Sequence, residues 1–365
     1  MNYQIEKQSD VPSYIQLYRL FVHDIVTGVY PYGSKLPSKR VTAEETGVSV
    51  ITVDHAIGLL SEEGYVQTRQ RSGVFVIYKG EDFLSDAEPL LPAPGLLKDH
   101  IPHGTGSFPF SVLKKTMHKV LLDEGEEVLT RSPNQGCEAL RNEICRYLAR
   151  SRGIEVKPSQ VIIGSGAEYL YGLIAQLLRG SKVFAVEDPS YGKIRSVYEA
   201  MGIRCEMLPM SEGGISSSAL EKTKAKVLHV TPFNSYPSGI TAGISKKHEY
   251  LRWAGKRDAI VIEDNYDSEL TVSRKAEVPL FSMDKEGRVI YINTFSKTLA
   301  PSMRMGYMIL PENMVGEFTD KLGFYSCPVP VFDQYVIAEL LRNGDFERHI
   351  NRERRKRRRA LEKKR

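Results

Sequence analysis

The residues with the most evident chemistry in this 365-residue chain lie in one short run. Thr294-Phe-Ser296-Lys297 is followed, after six intervening residues, by Arg304 in Thr-Leu-Ala-Pro-Ser-Met-Arg-Met-Gly-Tyr. A lysine amine can form a Schiff base with a carbonyl. Short hydroxyls donate to phosphate oxygens, and a guanidinium grips a phosphate with two parallel donors. Lys297 supplies the first function, and Thr294, Ser296 and Arg304 the second, which together make a pyridoxal 5'-phosphate site. A serine-lysine pair alone is usually a solvated loop feature, so the weight rests on its surroundings.

Upstream stands Ala259-Ile-Val-Ile-Glu-Asp264-Asn-Tyr266-Asp. An apolar run ending in acids is how a buried parallel strand meets its ligand-binding edge. Asp264 could keep a pyridine nitrogen protonated. Tyr266, two residues on and therefore on the same side of an extended chain, could bond the ring's phenolic oxygen. The plainer alternative is a strand-end acid and a core tyrosine. Val161-Ile-Ile-Gly-Ser165-Gly166-Ala167-Glu has the form strand, glycine turn, helix start. Free backbone N–H groups and the helix dipole favour a phosphate there. Val183-Phe-Ala-Val-Glu-Asp-Pro-Ser-Tyr191 ends another apolar strand with an aromatic that could stack on the ring or simply cap the surface. Lys193, just beyond, could offer a cation to a ligand carboxylate.

These elements, in this order and with helical segments between most of them, resemble the fold-type I aminotransferases. The loop Thr231-Pro-Phe-Asn234-Ser-Tyr-Pro-Ser-Gly239 is similar to the family's Asn-Pro-Thr-Gly loop with two residues inserted, and makes Asn234 a candidate partner of the ring oxygen. In Arg131-Ser-Pro-Asn-Gln-Gly136 the family more often has a tyrosine that reaches the neighbouring subunit's phosphate; Arg131 could replace it or could be a loop charge.

The first 80 residues have another pattern. Ile15, Leu17, Tyr18, Phe21, Val22 and Ile25 form a helical stripe, broken by Gly28 and Pro31-Tyr-Gly33. Ser38 is placed to cap a second helix, and Gly47-Val-Ser49 is the short turn before a third, Val50 to Glu63. Gly64 to Val76 alternates apolar and polar about a Ser-Gly turn, as a hairpin does. This order resembles a GntR-type winged helix, with the third helix in a major groove. The resemblance places Ser49, Thr52 and His55 toward DNA, with Ser38 nearby and Arg40, Arg69 and Arg71 on phosphates. Val50 stands where such regulators usually place an arginine.

A GntR-type winged helix joined to an aminotransferase-like domain resembles the MocR/GabR-type regulators. The expected fold is therefore multidomain. It comprises an α+β winged helix-turn-helix over 1–78, a linker over 79–97 and an α/β pyridoxal-phosphate-dependent transferase-like domain over 98–365, whose central sheet is mainly parallel. Glu81 to Gly95, with its prolines and acids, reads as linker. Relatives of this architecture continue further, so the resemblance implies a C-terminally truncated small domain and the loss of an arginine that clamps a ligand carboxylate.

The resemblance implies a cytoplasmic bacterial transcription regulator that binds double-stranded DNA and works as a head-to-tail homodimer. It would sense an amino acid or related amine through an external aldimine at Lys297. The alternative is a pyridoxal-phosphate-dependent aminotransferase with an appended DNA-binding domain, since a freed Lys297 could act as base at a substrate carbon.

Composition is compatible with this. Apolar residues make up 41%, enough for a large core, and no run is long enough to span a membrane. Cys137, Cys145, Cys205 and Cys327 show no paired ligand spacing, so reduced thiols are expected and no metal. The formal charge of +5 is misleading: Arg348 to Arg365 holds eleven Lys/Arg against two Asp/Glu, so the remainder is net acidic. Nucleic-acid binding by this tail is conceivable, but a helix of solvated arginines is the simpler expectation.

Overall fold

The computed structural model describes residues 3, 5–6, 11–69, 72–79, 108–180, 183–272 and 278–362. The chain divides into two compact units, Met1–Asp99 and His100–Arg365. The expected 79–97 linker lies, apart from Lys79, outside the described residues.

In the first unit α1 (Ser13–Val26), α2 (Lys39–Thr46) and α3 (Val50–Glu62) precede a hairpin of β1 (Val66–Arg69) and β2 (Gly73–Val76). The strands pair antiparallel, Val66 opposite Val76 and Arg69 opposite Gly73. Leu17, Phe21 and Ile25 on α1 pack with Val53, Ile57 and Leu60 of α3 and with Val66, Val74 and Val76 of the hairpin. The helical spacing of the first two sets and the alternation of the third put these nine side chains on one side. Both short helices are capped by serine: Ser38 Oγ accepts from Val41 N–H, and Ser49 Oγ from Thr52 N–H.

The second unit begins with α4 (Phe110–Glu124) and α5 (Glu138–Arg152). It continues with β3 (Val161–Gly164), α6 (Ala167–Leu177), β4 (Val183–Asp188), α7 (Gly192–Ala200), β5 (Arg204–Ser211) and β6 (Gly214–Ile215). Next come α8 (Ser217–Lys222), β7 (Val227–Val230), α9 (Ile244–Arg257), β8 (Ile260–Asp264), α10 (Leu280–Met283), β9 (Val289–Thr294) and β10 (Gly306–Ile309). It closes with α11 (Glu312–Leu322), α12 (Val331–Arg342) and α13 (Asp345–Glu362).

Eight strands form one sheet in the order β3-β10-β9-β8-β7-β4-β5-β6. From β9 through β8, β7 and β4 to β5 the pairing is parallel; β10 is antiparallel to both β3 and β9, and β6 to β5.

Alternation along each strand divides the core. Ile163, Tyr291, Tyr307 and Ile309 join Leu140, Ile144 and Leu148 of α5 and Ile337 and Leu340 of α12. Their sequence neighbours Ile162, Ile290, Ile292 and Met308 join Leu170 and Ile174 of α6, Tyr198 of α7 and Phe318 of α11. A sheet covered on both faces needs such near-continuous apolar strands. Its parallel strands β4, β7, β8 and β9 all end at one edge, and the loops leaving that edge carry the residues singled out above.

Candidate functional site

Thirteen residues line a cavity of about 320 Å³ at that edge, and eight were expected: Ala167, Tyr191, Asp264, Tyr266, Thr294, Ser296, Lys297 and Arg304. They come from the start of α6, the loop after β4, the end of β8 and the loop from β9 to β10. Gly166 lies immediately behind: a Cβ there would sit 3.0 Å from Arg304 Nη2. Its φ of +97° is a conformation that suits glycine. Because Gly166 has no side chain to cap α6, the first N–H groups of that helix have no side-chain acceptor. A helix start left in this way favours an anion.

Asp264 is 2% exposed. Its Oδ1 accepts from Tyr266 N–H at 3.2 Å, and its Oδ2 accepts the Tyr171 hydroxyl and lies 3.6 Å from His229 Nε2. His229 Nδ1 in turn shares a 2.7 Å hydrogen bond with the Tyr198 hydroxyl. Burial, reinforced by the Asp264 charge, pushes the Tyr171 phenol well above its usual range, so it remains a donor. The carboxylate is thus fixed from behind by residues that sequence reading missed.

Lys297 Nζ lies 3.2 Å from Asp267 Oδ1 and 4.4 Å from the centroid of the Tyr266 ring. Asp267 also accepts from the Asn234 side-chain amide and from Arg357 Nη1 of α13 at 3.4 Å. Asn234 does not line the cavity, unlike its expected role: its amide is committed to Asp267, and its carbonyl accepts the Tyr266 hydroxyl at 3.0 Å. Burial, then the charges of Asp267 and Asp264, hold the Tyr266 phenol above its ordinary value. The loop insertion gives a reason for the difference, since Asn234 sits at φ +53° within a longer turn.

The hydroxyls of the phosphate run are engaged locally. Thr294 Oγ1 donates to Met305 O at 3.1 Å and accepts from Ser296 N–H, while Ser296 Oγ donates to Met303 O at 3.0 Å. Arg304 Nη2 pairs with Glu168 Oε2 at 2.5 Å, and Lys193 Nζ with Glu168 Oε1 at 2.7 Å. Lys193 therefore faces a carboxylate of the chain itself. Arg131 donates to Ser326 Oγ at 2.7 Å and is not among the cavity residues.

The arginine-rich helix is only partly solvated. Phe346, His349, Ile350 and Glu353 are buried, and Arg354 Nε donates to Glu269 O at 2.5 Å. Arg357 joins it against the turn after β8, where it meets Asp267. Tyr171, Tyr236, Thr231, Glu168, Asp267 and Arg357 were not picked out from sequence; the spacing Asp264, Tyr266, Asp267 was the one available signal for Asp267.

In the first unit Arg40, His55 and Arg69 are exposed and Thr52 half-buried. Arg69 lies 4.7 Å over the Phe75 ring and His55 edge-on to Tyr14. Ser49 and Ser38 spend their hydroxyls on the helix caps. Arg71 lies outside the described residues. Ile51, 69% exposed on α3, was not anticipated; an apolar group there suits a thymine methyl. Asp54 on the same helix is neutralised by Lys39.

Two family models match. Residues 13–76 match the bacterial regulatory proteins of the gntR family, and residues 98–365 match aminotransferase class I and II. The uncharacterized HTH-type transcriptional regulator YdeL of Bacillus subtilis is 33% identical over 357 residues, covering 95% of this chain and 77% of that one. The probable rhizopine catabolism regulatory protein MocR of Rhizobium meliloti is 27% identical, covering 96% and 76%. Among solved structures, an archaeal alanine:glyoxylate aminotransferase superposes with a TM-score of 0.62 at 27% identity, covering 66% of this chain and 62% of that one. The kynurenine aminotransferase of Pyrococcus horikoshii, solved with PMP, gives the same score at 26% identity, covering 68% and 64%. With a gntR-type unit ahead of an aminotransferase-like unit, and with relatives along nearly its whole length, the chain belongs to the MocR/GabR-type family of HTH regulators.

Proposed function

We propose that this protein is a DNA-binding transcriptional regulator whose aminotransferase-like unit takes pyridoxal 5'-phosphate at Lys297 and senses an amino acid or related amine there. The observation that carries this reading is the convergence of Lys297, Asp264, Tyr191, Thr294, Ser296 and Arg304 on one cavity, in a chain that also holds a winged helix. The cofactor, when bound, supplies an electrophilic carbonyl on an electron-withdrawing pyridine ring.

Lys297 would hold it through Nζ. Asp264, buried and fixed by Tyr171, would hold a proton on the ring nitrogen, and Tyr191 would cover the ring face. The backbone N–H groups from Ser165 to Ala167, of which Gly166 N–H now donates to Gly164 O at 2.9 Å, with Thr294, Ser296 and Arg304, would bind the phosphate once Gly166 and the two hydroxyls turn from their backbone acceptors. Tyr266 would bound the far side of the ring, with Asn234 behind it, its backbone carbonyl accepting the Tyr266 hydroxyl. Asp267, 3.2 Å from Lys297 Nζ, would hold that amine whenever an incoming amine took its place on the carbonyl that the cofactor would supply. For the amine to alter operator affinity it must bind two states of the protein unequally.

Ser38, Arg40, Ser49, Thr52, His55, Arg69 and Arg71 belong to the DNA-facing side in this reading. The domain limits 1–78, 79–97 and 98–365, a head-to-tail homodimer and a cytoplasmic location complete it. A second reading, turnover as an aminotransferase, is favoured by the two enzymes of like fold and by the same Lys297, which once released could move a proton.

The deciding experiment is the visible spectrum with added pyridoxal phosphate, before and after borohydride, for wild type and Lys297→Ala. A band fixed by reduction in wild type alone supports the reading, and a screen of amines on operator binding follows. No lysine-dependent band overturns it. Amine-dependent formation of a keto acid by the loaded protein would favour the enzyme.

A further inference from the structure

Among the described residues that line the cavity, Glu168 is the acidic side chain beside Arg304, and its position opposes the ligand the cavity otherwise suits. It sits in the first turn of α6, lines the cavity and is 27% exposed. One carboxylate oxygen pairs with Arg304 Nη2 at 2.5 Å and the other with Lys193 Nζ at 2.7 Å. Of these two cations Arg304 lines the cavity. The same turn presents the uncapped N–H groups of α6, where any anion, side chain or ligand, is favoured.

We propose that Glu168 is an internal competitor for the cofactor's phosphate, and that its charge sets how loosely the phosphate group is held. This rests on the cofactor reading given above. A phosphate monoester carries about −1.5 to −2 charges near neutral pH. It would share Arg304 and the α6 terminus with a carboxylate, so binding must displace Glu168 from Arg304 or place like charges side by side. Its other partner gives Glu168 somewhere to stay: Lys193, on α7 and not among the cavity residues, can keep the carboxylate when Arg304 turns to the ligand. Lys193, first, and Arg304 hold the Glu168 carboxyl below the usual carboxylate range, so it is charged near neutral pH, where the phosphate is charged too. An acid that served only the helix dipole would not need to face Arg304.

The test is a titration of the full chain with pyridoxal phosphate, followed by the lysine-dependent band. Wild type, Glu168→Gln and Glu168→Ala are compared, with pyridoxal as the ligand lacking the phosphate. Removing the competing charge should tighten pyridoxal phosphate on the order of tenfold in both variants, as expected for one like charge at a partly exposed site. Pyridoxal affinity should not change. Inorganic phosphate should also compete with pyridoxal phosphate more strongly in the variants than in wild type. Unchanged or weakened pyridoxal phosphate binding in both variants would overturn the proposal and make Glu168 a residue that orients Arg304. Equal tightening for pyridoxal would overturn it too, because the effect would not concern the phosphate. A lysine-dependent band absent from all three proteins would remove the cofactor reading itself, a result separate from either of these.

Discussion

Asp267 Oδ1 lies 3.2 Å from Lys297 Nζ, and this carboxylate, 1% exposed, is also held by the Asn234 amide and by Arg357 of the last helix. Three donors from three separate segments therefore meet on one buried acid beside the reactive amine. Asp267→Ala would leave them without an acceptor. It should cost about 2 kcal/mol, below the figure for a fully buried pair because Lys297 and Arg357 are partly exposed. Urea unfolding of the full chain measures this. An unchanged midpoint would mean that water replaces the carboxylate at no loss.

Glu187, at the end of β4, is buried and accepts from Thr231 N–H at 3.0 Å and Ser235 Oγ at 2.6 Å. Burial outweighs both bonds and raises its carboxyl to about 7. A carboxyl raised on folding binds its proton more tightly in the native state, so its stabilising contribution is complete below pH 4.5 and declines as the pH rises through 7. Across that window the loss amounts to about 3 kcal/mol. Glu187→Gln should remove this decline, which unfolding at pH 5 and pH 8 would show; the same pH slope in the variant would assign it to other groups.

Gly166→Ala would place a methyl 3.0 Å from Arg304 Nη2 and force a side chain into φ +97°. Strain of about 1–3 kcal/mol and displacement of Arg304 should together weaken pyridoxal phosphate at least tenfold. Absorbance titration is the readout. Affinity equal to wild type would mean that the phosphate does not use this cradle.

Arg40 is exposed on α2, and the proposed reading sets it against a DNA phosphate. Arg40→Ala should weaken DNA binding alike across sequences and reduce the slope of log affinity against log salt by about 1. Gel-shift titrations at several salt concentrations test this. If the slope is unchanged, α2 does not lie along the backbone.

Ser49 illustrates a residue with a local use. Its hydroxyl accepts from Thr52 N–H at 3.1 Å, so Ser49→Ala should cost the winged helix about 1 kcal/mol. Thermal unfolding separates this from a DNA contact, which would lower affinity and leave stability untouched.

Much of the site was legible because its residues are tied to local patterns. Lys297, Asp264, Tyr191 and Ala167 each follow an apolar strand or a glycine turn. Parallel strands that share one sheet deliver their C-terminal ends to a common edge. The winged helix was legible for a similar reason: helical and alternating apolar spacing, with serine caps and glycine breaks, specifies the elements within a few residues of themselves. Asn234 was not, since its side-chain amide goes to Asp267, 33 residues away, and no local pattern records that.

What could not be read was the choice of partner over long separations. Tyr171 and Asp264 stand 93 residues apart, Glu168 and Arg304 136, and Asp267 and Arg357 90. Each of these side chains had many possible partners, and the packing of α6 and α13 against the sheet selected one. The arginines of α13 show this most clearly: their sequence specifies a charged helix, and contact with the turn after β8 turns Arg357 into a partner of Asp267. Residue types and their local spacing determined which chemistry the chain can hold; the tertiary arrangement determined which charges oppose or support it, because ion pairs depend on distances that chain order does not encode.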